Sequence, residues 1–562
     1  MPVVKVRLSR LSNSFPNLNL DKVIEHLPYI GLDIEGIDKE SDLIRLEFNP
    51  NRPDFASENG ILRALNGLFE IDIGMPKIES IKETNYVIDV DETVTNIRPI
   101  IYGFVAKRKH SINSYELSQL ISMQEDLHNG IGRKRKKSSI GLHDLDSIIF
   151  PLYYTTVPKN FSFKPLDKQN EFTIDNILTI LDVGKNYGHI VNAFDKFPLL
   201  FDSEKKVLSF PPIINGDISK ITPITKDLFI EVTSISDKSA QEIISLLSYE
   251  LYDMGFQLFT VSIKNKFNNS LEIPNLYPSK VIIDPNYINK ILGLELTNAQ
   301  MIKCLEKSRC SGKVFSGGIE CYIPRYRVDI FNPVDISEEV AIGYGIHKFH
   351  TLNHSLYLSG KKHAYSIIFN NIREILIGLG FIEIINTNIV SQKILNNFFL
   401  HEIYHDAVYL SNSQNTEFDI LRNSIIPSMM DTLSKNIHEK YPQKLFEIGK
   451  VFHIKNSKIV EEWYLGIVIA HNNTDYSEIK SVLESLIKYC FNKEVETPRF
   501  DCDYYLEGHS AKILLNEQEI GNIGEVNPLV IEKFKLRTLV TSFQINLNYL
   551  MDLFDMNKLR YI

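Results

Sequence analysis

Apolar residues alternate with polar ones at Val4, Val6 and Leu8, which predicts a strand at the start of the chain. A helical spacing follows over Leu20 to Leu27, ending before Pro28, and a second strand is expected over Leu43 to Phe48. In NPNRPDFASENGILRALNGLFEI, Pro50 and Pro53 impose an extended turn, Ser57 can cap, and Ile61, Leu62, Leu65 and Leu68 form one helical face. Residues 1–80 therefore read as a small α+β module. Residues 85–265 mix β-rich runs (YVIDV, IIYGFVA, LFIEVTSI) with helical stretches at 114–129 and 238–255, and read as one larger α+β domain.

A Pro-containing linker, EIPNLYPSK, precedes a compact module at 272–348 with a strand and helical pieces near 285–292 and 297–306. The last domain, 355–562, opens on a helix from Ala364 to Ile377 that stops at Gly378 and Gly380, followed by strand-like FIEIINTNIV. The alternating runs KLFEIGKVF and YLGIVIA predict an antiparallel sheet flanked by helices. The whole is an α+β multidomain chain, as 562 residues exceed what one core organises.

Composition narrows the partners. A net charge of −9 requires that any nucleic acid be met by a local basic patch, and the densest is GRKRKKSS, with Arg133, Lys134, Arg135, Lys136 and Lys137. That run suits RNA phosphates or simply a solvated surface. Five cysteines without a CxxC pair argue against a disulfide framework and a zinc site, and point to a reducing cytoplasm. No run of 18 uncharged apolar residues occurs, and Lys5, Arg7 and Arg10 break any leader-like stretch.

Carboxylates concentrate in YRVDIFNPVDISEEVAIGYG, Tyr326 to Gly345. With Asn332 as N-cap and Pro333 at the first helical position, Asp335, Glu338 and Glu339 share a helical face, and Asp329 can fold back towards them. Four hard oxygen donors suit Mg²⁺. The alternative is a helix start complementing its dipole, worth about 0.3–1 kcal/mol per charge. A phosphotransferase or nuclease reading lacks a Gly-rich phosphate cradle. His143 beside Asp144 suggests a general base, but such a pair in a turn is more often structural.

The same carboxylate string resembles the end of the B5 domain of phenylalanyl-tRNA synthetase β subunits. NPNRPDFASENGILRALNG resembles that family's NRPD signature, LHNGIGRKRKKSSIGLHDLD its archaeal and eukaryotic branch, and LRNSIIPSMM, YPQKLFEIGKVF and IGNIGEVNP its C-terminal domain. The resemblance implies a magnesium site at Asp329, Asp335, Glu338 and Glu339. It also implies an (αβ)₂ heterotetramer in the cytoplasm that uses ATP to join phenylalanine to its tRNA, with adenylation in the α chain. The last domain then resembles a class II synthetase fold without catalytic motifs, since Leu445 and Phe446 stand where an Arg is expected before an acid.

An apolar pocket rejects an added hydroxyl by only about 10²-fold, so excluding tyrosine calls for a second, hydrolytic site. The resemblance places it in a B3/B4-like domain at 85–265 and carries over Leu200, Ser209, Glu231 and Thr233. Read from the residues alone, Glu231 and Thr233 are outward positions of an alternating strand. A scaffold subunit that binds RNA without chemistry is the alternative function.

Overall fold

Val4 and Val6 face Leu46 and Ile44 across an antiparallel pair, and all four are buried while Lys5 and Arg45 point away. This period of two builds a three-stranded sheet in the order Val3–Arg7, Leu43–Phe48, Leu32–Asp38. Leu8 does not continue the strand. It starts a short helix, Leu8–Ser14, because Leu8 and Leu11, three apart, both find the core. The Ser57 hydroxyl accepts from the Gly60 N–H and caps helix Glu58–Leu68, which buries Ile61 and Leu65. The computed structural model describes residues 2–552 apart from 79–80, 266–267, 351–359, 401–406, 414 and 416–417. It divides into two compact units, Met1–Asn353 and His354–Ile562; the boundary expected at 355 lies outside the described residues.

Within the first unit a ten-stranded sheet dominates the middle of the chain. Gln257–Asn265 and Ile100–Lys107 lie near its centre, and Leu228–Ser234 followed by Ser138–Asp144 form one end. Lys196–Phe201, Val207–Phe210 and Ile214–Asn215 form the other. The sheet runs past the boundary expected at 265, since Asn268–Ile273 pairs back on Gln257–Asn265. Helix Asp237–Asp253 packs on Ile100–Lys107 and Leu228–Ser234. The two ends of the sheet curl towards each other: Asn215 Nδ2 reaches the Leu142 carbonyl at 3.5 Å, and Ser209 reaches Glu231.

The carboxylate string ends a module with its own core of Ile288, Met301, Leu305, Ile319, Ile336 and Val340, built on strands Ser279–Ile283, Ser311–Phe315 and Gly318–Ile323. In the second unit six strands form a mostly antiparallel sheet around Gln443–Lys455 and Lys458–Ala470. Phe446, Leu465, Ile467 and Ile469 face helices Ala364–Gly378 and Tyr476–Phe491, whereas Leu445, Val468 and Ala470 pack with helix Ile426–Lys435. Strand-like FIEIINTNIV yields only the two-residue strands Ile382–Glu383 and Ile389–Val390. Among the described residues no helix is long and apolar enough to cross a membrane.

Candidate active site

The strand Leu228–Ser234 is buried along its whole length, so Glu231 and Thr233 are not outward residues. A helix covers one face of the strand, and the curl of the sheet closes over the other. Glu231 stands opposite Gly103 on one neighbouring strand and Gly141 on the other. The missing side chain of Gly141 leaves it room, while that of Gly103 makes room for the Phe229 ring. A Cβ on Gly141 would lie 2.5 Å from Glu231 Oε1 and 2.8 Å from its Cγ, so the carboxyl passes directly over Gly141. There it accepts a 2.9 Å bond from Ser209 Oγ, on the far end of the sheet, and borders a cavity of 540 Å³.

Glu231 is 2% exposed, and its Oε2 has no hydrogen-bond partner among the described residues. Burial pushes its pKa up to about 7, against the Ser209 bond and the Arg98 charge, which pull it down. A buried carboxyl with one free oxygen at a cavity wall is equipped to accept a hydrogen bond from a ligand hydroxyl. The cavity is also lined by Ser139, Ser219, apolar Leu117, Ile121 and Ile221, and by the edge of the Ser138–Asp144 strand.

The other residues expected at this site fall differently. Leu200 faces Ser209 in register and packs into the main core. Thr233 Oγ1 accepts a 2.9 Å bond from Arg98 Nε and lies 2.8 Å from Ser139 Oγ, so its hydroxyl is held by the domain. His143 is not paired with Asp144: its Nδ1 meets Ser219 Oγ at 2.7 Å, while Asp144 accepts from Thr225. Burial pushes His143 down to about 3, which makes it a neutral ring near physiological pH.

The histidine that lines the cavity is His128, which the sequence reading did not single out. Its Nε2 accepts the Ile140 N–H at 2.8 Å, satisfying an edge-strand donor, and its Nδ1 faces Glu125 at 3.1 Å. The bond from His128, with the charge of Arg135, holds Glu125 down to about 2 despite partial burial. Arg135 donates to Glu125 and to the Ile213 carbonyl and lies over the Tyr187 ring. It is therefore a wall of the cavity and not a free phosphate ligand, a correction to the reading of the basic run as one group. Arg133, Lys134 and Lys136 are exposed, and Lys137 is half-buried.

The four carboxylates expected to hold Mg²⁺ do not assemble as a ligand set. Asp335 takes the N–H groups of Phe331 and Asn332, both at 2.8 Å, as a helix-start acceptor. Asp329 and Glu339 each bind the buried guanidinium of Arg327 through both oxygens. Burial would lower Arg327, but Glu339 and Asp329 outweigh it and hold it well above its ordinary value. Glu338 is exposed, and partial burial with the charges of Glu339 and Asp329 raises its pKa. Among the described residues no group of three or more His, Cys, Asp or Glu is placed to hold a metal. The donors are committed to an arginine and to backbone, so these residues as arranged do not fit the ion.

Besides His128, three positions that shape the cavity domain or the carboxylate network escaped the sequence reading. Gly141 carried a signal, since an isolated glycine inside a strand pattern marks a close approach. Arg327 carried another, two residues before Asp329 and hence on the same face of an extended segment. Arg98 carried none.

The family described as tRNA synthetase B5 domain matches residues 281–346, and that described as phenylalanyl tRNA synthetase beta chain CLM domain matches 351–547. Phenylalanine–tRNA ligase beta subunits of Archaeoglobus fulgidus and Methanocaldococcus jannaschii are 35% and 34% identical to this chain. Those alignments cover 98% and 97% of this chain and 99% and 100% of the relatives. An N-terminal fragment of the phenylalanyl-tRNA synthetase beta subunit of Pyrococcus horikoshii superposes with a TM-score of 0.58 at 30% identity. The match covers 61% of this chain and all of the fragment.

Proposed function

Because the chain belongs to the family of phenylalanine–tRNA ligase β subunits, we propose that its own chemistry is the hydrolysis of tyrosine misattached to the phenylalanine tRNA, in the cavity beside Glu231. The observation that carries this is Oε2 of Glu231, unpartnered among the described residues, a buried acceptor whose desolvation is offset when a phenol O–H enters. Phenylalanine offers no such donor, so the pocket distinguishes the two esters by the one group in which they differ. Ser209 fixes the carboxyl from the opposite side. ATP is used by the α chain, which pairs with this one in an (αβ)₂ assembly.

The second unit supports that division of labour. Its Glu447, on the strand where a class II enzyme would present catalytic groups, is 1% exposed and closed off by Arg422 at 2.6 Å and Asn386 at 2.8 Å. Leu445 and Phe446 belong to the cores on opposite sides of the sheet.

The ionised form of Glu231 is the acceptor, so deacylation of tyrosyl-tRNA(Phe) by the αβ complex is expected to rise as pH passes about 7. Glu231→Gln should flatten that rise and lower the rate. The stability sign is opposite: a carboxyl whose pKa is raised on folding costs stability as pH climbs from its unfolded value towards 7. Glu231→Gln should thus melt above wild type at pH 8 but not at pH 4, by roughly 3 kcal/mol at most. Absence of deacylation by the wild-type complex sinks the hydrolytic reading and leaves an RNA-binding scaffold.

The exposed cations Arg133, Lys134 and Lys136 are the candidates for tRNA phosphate contact. Replacing all three by Glu should reduce the slope of log affinity against log salt by about 0.7–0.9 for each phosphate that is no longer neutralised. An unchanged slope would assign the run to solvent.

A further inference from the structure

Arg98 is an anomaly of the cavity domain: a guanidinium 2% exposed that, among the described residues, pairs with no carboxylate. Burial lowers its pKa to about 10, partly countered by Tyr154 and Glu231. Its donors are spent in two places. Nε meets Thr233 Oγ1 at 2.9 Å, and Nη2 meets the Thr233 carbonyl at 2.8 Å and Ser139 Oγ at 3.2 Å. Nη2 also reaches the Arg135 carbonyl at 3.3 Å, and Nη1 the Lys136 carbonyl at 3.4 Å. One side chain thus joins the basic loop to the strand carrying Glu231.

The loop needs such a fastening. Arg133, Lys134 and Arg135 are all left-handed, with φ of 49°, 53° and 64°. Side chains other than glycine adopt that conformation at a cost, and three in succession persist only where surrounding bonds hold them. The turn sends the exposed cations outward while Arg135 goes to the cavity wall, against Glu125, the Ile213 carbonyl and Tyr187.

We propose that Arg98 is a positioning residue for deacylation, tying loop 132–137 to the Glu231 strand so that phosphates gripped at the exposed cations fix the cavity wall. The inference rests on the hydrolytic reading of the cavity. RNA engagement and pocket geometry become one event, and an RNA end held by the loop meets a completed pocket.

The test compares Arg98→Met and Arg98→Lys with wild type in the αβ complex, measuring phenylalanine attachment and deacylation of tyrosyl-tRNA(Phe) across pH. The groups facing Glu231 are Ser209, Arg98, Tyr154 and, across Gly141, neutral His143, so Arg98 is the full charge that acts on it. Arg98→Met should leave phenylalanine attachment intact, lower the deacylation kcat about tenfold or more, raise KM for the tRNA, and move the acid limb to higher pH. Arg98→Lys keeps charge but not the fork, so it should be slow with the acid limb in place. A structural role alone would not separate rate from limb in this way. Arg98→Met with wild-type deacylation and an unmoved limb overturns the proposal. If Arg98→Met yields no folded complex, wild-type deacylation by Arg98→Lys overturns it instead. A wild-type complex without deacylation fails the hydrolytic reading, and this inference falls with it.

Discussion

Replacing Gly141 by alanine is expected to lower the deacylation of tyrosyl-tRNA(Phe) by about 10²-fold or more, while attachment of phenylalanine by the same complex stays intact. The new methyl carbon would stand 2.5 Å from Glu231 Oε1 and 2.7 Å from His143 Nε2. Both groups are buried, and Glu231 has strands on either side, so the carboxyl can yield only by leaving its place over Gly141 and giving up the 2.9 Å bond from Ser209. The backbone at Gly141 is ordinary strand, so alanine is not strained there by its own conformation, and the damage is steric and local. A thermal melt within a few degrees of wild type alongside lost deacylation is the expected signature. Undiminished deacylation in a folded Gly141→Ala complex would mean that Glu231 does not read the substrate from this position.

Gly141 also shows where the sequence stops informing. Alternation in LFIEVTS correctly put Glu231 and Thr233 on one face, because period two is a property of the strand itself. Whether that face meets water depends on which strand lies beyond it, and here the sheet curls until Ser209 arrives from the far end. No local pattern encodes that closure. The basic run was legible as charge, but its division into a wall residue and three exposed cations is set by a left-handed turn within a string of basic residues. Arg98 was illegible because its acceptors are mostly main-chain carbonyls and hydroxyls on other strands. The carboxylate string was legible as a helix start, with Asp335 at the third helical position, and illegible as a charge network, because the decisive group is a cation.

That cation supports the second large effect. Arg327→Met should cost about 3–5 kcal/mol of stability, because it leaves two buried carboxylates without the guanidinium that pairs with both. The side chains of Arg327, Glu339 and Asp329 are 2%, 5% and 11% exposed, so water cannot take over from the missing partner cheaply. The charge of nearby Arg52 also acts on Asp329, but it cannot replace the lost hydrogen bonds, since its fork is already committed to Asp54 at 2.8 and 2.9 Å. Arg327→Lys should fall between the two, because a single ammonium cannot pair with both carboxylates through parallel bonds as the guanidinium does. The pair of variants separates charge from geometry, and magnesium separates either from an ion. If Arg327 supplies the positive charge here, a chelator should leave the melting of the wild-type chain unmoved, whereas Arg327→Met should regain stability as Mg²⁺ is added, its freed oxygens being hard ligands. A wild-type chain that loses stability to the chelator would show these carboxylates holding a divalent ion alongside the arginine, and the assignment of Arg327 as the cation that pairs them would be wrong.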